Sequence, residues 1–91
     1  FGIYGPTIVT GIDYNTLEVI TRVNGTEVQR GAANELIRDI PEIVRYVSAV
    51  MTLLPGDIIY TGTPGEPPQI STGDSVEIEV TGAGILRNGV V

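Results

Sequence analysis

Leu17-Glu18-Val19-Ile20-Thr21-Arg22-Val23-Asn24-Gly25-Thr26-Glu27-Val28-Gln29-Arg30 is the stretch that decides the fold class of this chain. From Leu17 to Val23 the side chains alternate, with Leu17, Val19, Thr21 and Val23 on one face and Glu18, Ile20 and Arg22 on the other. A period of two is the pattern of a half-buried strand. Asn24-Gly25 follows at once, and both residues tolerate the positive φ angles of a two-residue hairpin turn. Thr26 to Arg30 then resumes the alternation, so the segment predicts a β-hairpin.

Short strands are predicted on either side. Thr7 to Thr10 follows the Gly5-Pro6 turn, and Ile58 to Thr61 follows Pro55-Gly56, which reads most simply as a type II turn. Ser75 to Val80 alternates, placing Val76, Ile78 and Val80 inside and Glu77 and Glu79 outside. Thr81-Gly82-Ala83-Gly84 turns the chain into a last strand through Ile85 and Leu86. Between the hairpin and Pro55 the period changes. Asn34 is placed to cap a first turn through Arg38, and Asp39 with Pro41 opens a longer helix. Ile43, Val44, Val47, Val50 and Met51 then form an apolar stripe opposite Glu42, Arg45 and Ser48. The fold class is mainly β, with about six short strands and one amphipathic helix.

Ninety-one residues allow at most one domain, and a chain of this size buries only about 60–65% of the surface it exposes when unfolded. Yet 42% of the residues are hydrophobic. That is more apolar surface than so small a body hides, so a larger body or a partner is expected to cover it. Phe1-Gly2-Ile3-Tyr4-Gly5-Pro6 reads as packed structure, and further sequence is expected before it.

The chain carries a net charge of −6, and its only bases are Arg22, Arg30, Arg38, Arg45 and Arg87. So few scattered cations predict no nucleic-acid partner and no anionic membrane surface. Cysteine is absent, and no apolar run approaches the length of a membrane span. The expected compartment is the cytoplasm.

Histidine and lysine are absent too, so the usual general base and the Ser/His/Asp or Cys/His arrangements cannot be built. Glu77 and Glu79 share a strand face and form the tightest carboxylate pair. They suit a hard cation, but a solvated strand face explains them as well. Gly82-Ala83-Gly84 lacks the third glycine of a dinucleotide loop and reads as a tight turn. Asn24-Gly25-Thr26 matches a glycosylation sequon, which the hairpin turn explains better. Tyr60-Thr61-Gly62-Thr63-Pro64-Gly65 is the most suggestive segment. Gly62 permits close backbone approach, Pro64 stiffens the start of the long loop, and Thr63 can donate its hydroxyl to an anionic ligand. On chemistry alone, an ordinary strand-ending turn explains the segment better.

Several segments, in order, resemble the fumarylacetoacetate hydrolase family. They are Gly5-Pro6-Thr7-Ile8-Val9-Thr10; Val23-Asn24-Gly25 with Gln29; the run from Met51 to Pro64; Gly73-Asp74-Ser75-Val76-Glu77; and Gly84-Ile85-Leu86-Arg87-Asn88. The resemblance covers nearly the whole chain and implies that residues 1–91 are the C-terminal part of that family's catalytic domain, a mixed β-sandwich roll with the helix packed on the sheet. It implies an enzyme acting on 2-oxo acids, such as those of aromatic catabolism. Acylpyruvate-like C–C bond hydrolysis is one reaction in view; decarboxylation, isomerisation and hydration are the others. A divalent cation, Mg²⁺ or else Ca²⁺ or Mn²⁺, is implied, with its ligands, the His–Glu pair and the catalytic Lys all outside this chain. Of the site residues, the resemblance carries over Thr63, as the contact to the substrate carboxylate, with Thr61, Gly62 and Pro64 as its frame. The expected partners are a small 2-oxo acid and a second copy of the protein, or the upstream half of the same domain. The segment taken alone is expected to be inactive, and a non-catalytic subunit or scaffold half is the alternative. Ala33-Asn34-Glu35-Leu36-Ile37 and Gly65-Glu66-Pro67-Pro68 depart from the family's usual wording, and both stretches are expected to border the pocket.

Overall fold

A computed structural model of the chain describes residues 3–63 and 66–91. Its centre is the hairpin of β1 (Glu18–Val23) and β2 (Thr26–Ala32). Asn24 and Gly25 take φ angles of 52° and 83°, the conformation the tight turn requires. The ladder is regular from Glu18 opposite Ala32 to Thr21 opposite Gln29, then slips by one residue at Thr21/Arg22. That slip is a β-bulge in β2, which sharpens the local twist.

The other side of β1 pairs antiparallel with β3 (Ser75–Val80), which pairs in turn with β4 (Gly84–Gly89). The sheet order is β2-β1-β3-β4, all antiparallel. The tip of the hairpin is locked to the start of β3. The Asn24 side chain donates to Asp74 Oδ1 (2.9 Å) and accepts from the Ser75 N–H (2.9 Å). Asp74 also accepts from the Ser71 N–H, and these bonds hold its carboxyl below the ordinary carboxylate range, the Ser71 bond most strongly.

The helix α1 (Ile40–Val50) starts as expected, with the Asp39 side chain accepting from the Glu42 N–H at 2.8 Å. Pro41 falls second in the helix rather than first. Asn34 does not cap a turn. It lies inside a short 3₁₀ turn, Ala33–Glu35, after which Leu36 returns to extended backbone, and Asp39 opens the helix instead. Met51 lies beyond the helix, at its C-cap with φ −142°, so it is not part of a helical stripe.

Four strands are present among the described residues, not six. Thr7–Thr10 and Ile58–Thr61 have no strand partner and stay irregular. A four-residue β-branched run suits a strand but does not make one without a neighbour's backbone to bond. The outward placement of Glu77 and Glu79 is also corrected. Both are half-buried beneath an ion-pair array, with Arg22 on Glu79 at 2.7 Å and on Glu77 at 3.8 Å, and Arg87 on Glu77 at 2.8 Å. The one buried hydrophobic side chain of the core among the described residues, Ile20, lies on this charged face, 5% exposed. The aliphatic stems of long charged side chains are well suited to cover such a residue. On the opposite face, Ile78 is 38% exposed rather than inside. The helix forms no extensive interface with the sheet and buries no residue.

Candidate functional site

The segment Thr61-Gly62-Thr63 reaches the sheet at β2. Gly62 adopts φ 85°, a left-handed conformation that side chains rarely take, although the space around it is open. Conformation, not crowding, therefore calls for glycine there. The next residue is tied to the sheet by a long-range bond: the Gln29 amide Nε2 donates to Thr63 Oγ1 at 3.0 Å. Gln29 stands at the β-bulge, opposite Thr21, which is 8% exposed. A residue of the sheet thus anchors the turn. Pro64, the fourth residue of the expected frame, lies outside the described residues.

Tyr60 to Thr63 form one wall of an open cleft of about 630 Å³. That volume lies within the usual range for small-molecule sites. The opposite wall is Glu35 to Arg38, with Ile43 at its base. The stretch Ala33–Ile37, expected to border a pocket, does so through Glu35, Leu36 and Ile37. Arg38 is the only cation of the lining among the described residues. Its guanidinium lies 5.7 Å from the Tyr46 ring centroid and forms no ion pair among the described residues.

The cleft is lined by two threonine hydroxyls, the Tyr60 phenol, a glycine turn, the Arg38 guanidinium and the Glu35 carboxylate. The hydroxyls and the guanidinium are donors suited to an anion, and a nucleophile paired with a base is not present among the described residues of the lining. The carboxylates of the sheet do not supply one. Glu77 is engaged by Arg87 and Arg22, and the Arg87 hydrogen bond is the main reason its carboxyl lies below the ordinary range. Glu27 is likewise lowered, chiefly by its bond from Arg30, which also reaches Glu18 at 3.1 Å. A cation at Glu77 and Glu79 would have to displace two arginines. Among the described residues there is no grouping of three or more acids able to hold a metal ion. The remaining motifs are structural: Gly82 turns the chain at φ 82°, and the Asn24 amide is taken up by Asp74 and Ser75.

A second concavity, of about 520 Å³, is lined by Ile3, Pro6, Thr7, Ile78, Val80 and Leu86 among others. Its lining carries no titratable group among the described residues. No helix among the described residues is long and apolar enough to cross a membrane.

The chain is similar to known proteins in sequence and fold. The sequence profile described as fumarylacetoacetate (FAA) hydrolase, C-terminal, matches residues 1–91. The chain is 43% identical over 79 residues to the 4-hydroxyphenylacetate degradation bifunctional isomerase/decarboxylase of Escherichia coli, covering 87% of this chain and 18% of that protein. The crystal structure of 5-carboxymethyl-2-hydroxymuconate delta-isomerase from Mycobacterium smegmatis superposes with a TM-score of 0.90 at 50% identity, over 96% of this chain and 35% of that one. Maleylpyruvate hydrolase from Sphingobium sp. SYK-6, crystallised with manganese (II) and pyruvate, gives a TM-score of 0.88 at 39% identity, over 96% of this chain and 34% of that one. The chain spans about a third of the length of the curated relatives it matches at 45–48% identity.

Proposed function

Because the chain belongs to the fumarylacetoacetate hydrolase family, we propose that residues 1–91 are the C-terminal part of an enzyme domain acting on 2-oxo acids, in which Thr63 holds the substrate carboxylate. The carrying observation is the Thr61-Gly62-Thr63 turn, anchored at the mouth of a cleft of substrate size. Arg38 brings a guanidinium donor to the same lining, beside the Glu35 carboxylate, and a guanidinium is the group best shaped to meet a carboxylate. The relatives' names point the same way, covering an isomerase/decarboxylase, a delta-isomerase and a hydrolase crystallised with pyruvate.

A fold shared by isomerases, decarboxylases and hydrolases does not select one reaction. What this segment contributes is common to all of them: it orients a carboxylate while bonds change next to the 2-oxo group. A divalent cation is part of the proposal, supported by the manganese in the Sphingobium structure. The described residues of this chain do not suit such an ion, since no acid cluster is available. Its ligands are therefore assigned outside residues 1–91, and no step is assigned to it here. Assembly of the site between this segment and the rest of the domain, and pairing of two copies in the cytoplasm, belong to the same proposal.

The test is Thr63→Val in the complete protein. Valine keeps the β-branched shape and removes the hydroxyl. A hydrogen bond to a charged group contributes about 1.5–3 kcal/mol, so kcat/KM should fall roughly ten- to two-hundredfold, with a loss of stability of no more than about 0.5–1.5 kcal/mol from the Gln29 bond removed with the hydroxyl. Thr72→Val, in the same loop region but outside the cleft lining, serves as the control. If the two variants behave alike, the turn is structural and the carboxylate assignment fails.

A further inference from the structure

We propose that Gln29 is a positioning residue: its amide fixes the direction in which the Thr63 hydroxyl donates, and so sets the affinity for the substrate carboxylate. This inference rests on the reading of Thr63 given above. A threonine hydroxyl has one proton to give and two lone pairs to accept with. The Gln29 Nε2 group only donates, and it donates to Thr63 Oγ1 at 3.0 Å. One lone pair is thereby occupied, and the hydroxyl proton is turned away from Gln29. Thr63 lines the cleft and Gln29 does not, so the released proton is available on the cleft side. Without the amide, the hydroxyl would sample about three staggered positions, only some of them facing a ligand.

The placement of Gln29 suits this role. Its backbone is held in the ladder opposite Thr21, at the last regular pair before the bulge. The ordering effect is thus paid for by the sheet before any ligand arrives.

Two variants separate orientation from simple tethering. Gln29→Met keeps the length and removes the donor. Gln29→Glu keeps the shape and replaces the donor with an acceptor, so the Thr63 proton turns back towards residue 29 and the cleft faces a lone pair. If Gln29 only ties the turn to the sheet, Gln29→Glu should do so at least as well as the amide, because hydrogen bonds to a charged partner are stronger. If Gln29 orients the hydroxyl, Gln29→Glu should be the more damaging variant.

The experiment measures pyruvate binding to the complete, Mn²⁺-loaded protein by calorimetry, with Mn²⁺ affinity and Tm as checks on the fold. Gln29→Met should weaken pyruvate roughly three- to tenfold, from the freed rotor and the lost support. Gln29→Glu should weaken it by about tenfold or more, with Mn²⁺ affinity unchanged. In a Thr63→Val background, Gln29→Met should add nothing, because its effect passes through the missing hydroxyl. Pyruvate binding by Gln29→Glu equal to that of the unaltered protein overturns the inference. If Thr63→Val weakens binding and neither Gln29 variant does, the carboxylate reading stands and the Gln29 role falls. If Thr63→Val has no effect, or if the unaltered protein does not bind pyruvate at millimolar concentration, both fall together.

Discussion

Asn24 does two jobs at the hairpin tip, and they can be separated by substitution. Its backbone holds φ 52°, and its side chain joins Asp74 and the Ser75 N–H. Asn24→Gly keeps the backbone conformation and removes the side-chain bonds, each contributing about 0.5–1.5 kcal/mol. Asn24→Ala removes the bonds and adds a left-handed penalty of roughly 1–2 kcal/mol. Urea denaturation of the complete protein should therefore rank the unaltered form above Asn24→Gly and Asn24→Gly above Asn24→Ala. Equal midpoints for the two variants would show that the backbone conformation carries no cost there. At this scale the sequence is legible where the chemistry is local. Asn24-Gly25 announces its turn, and Gly62 announces the left-handed bend between Thr61 and Thr63. The bond from Gln29 to Thr63 was not legible, because nothing in either residue's neighbourhood reports a partner 34 positions away. The place of Arg38 was hidden for a related reason: its role depends on which wall of a cleft the 3₁₀ turn brings it to.

Among the elements, β1, β2, β3 and α1 are where alternation, turn chemistry and a capping aspartate placed them. The two runs misread as strands, Thr7–Thr10 and Ile58–Thr61, share one defect: neither finds a strand to pair with among the described residues. The charged face was misread for the opposite reason. Alternation marks Glu77 and Glu79 as polar, but only the β1–β3 register, Arg22 opposite Glu77 and Ile20 opposite Glu79, shows that arginines cover them. The pairing has a pH signature. The Glu77 carboxyl is held low mainly by Arg87, whose own guanidinium is raised out of the accessible range. A lowered carboxyl adds stability that is fully present above its unfolded value, at about pH 4.3, and is lost as pH falls through its folded value. In the complete protein, Arg87→Met should thus lower Tm at neutral pH, and the gap from the unaltered protein should close below about pH 4. A gap that stays constant across this range would mean that Arg87 acts by packing alone.

The molecule as a whole exposes 6880 Å², against about 5,100 Å² expected for a self-contained protein of 9.6 kDa. Its radius of gyration is 14.2 Å, where a compact chain of this length would have about 12 Å. The excess of about 1,800 Å² is roughly twice what one partner contributes to a standard protein–protein interface. Its apolar part includes Ile8 and Ile37, which are 95% and 103% exposed, and Val44 and Val50 on the helix. The isolated 91-residue chain should therefore self-associate, giving a dimer or larger species in light scattering. A stable monomer with a sharp thermal transition would show that this surface needs no cover. The sheet order also imposes a sequence of events in time. β1 and β2 are neighbours in the chain and can zip within microseconds, as hairpins do. The other edge of β1 must wait for β3, whose first residue lies some fifty positions downstream of β1's end, so a long loop has to close before any bond rewards it. On the ribosome the hairpin would emerge with Gln29 in place and one strand edge bare, and Thr63 could be drawn to it before the sheet beneath was complete.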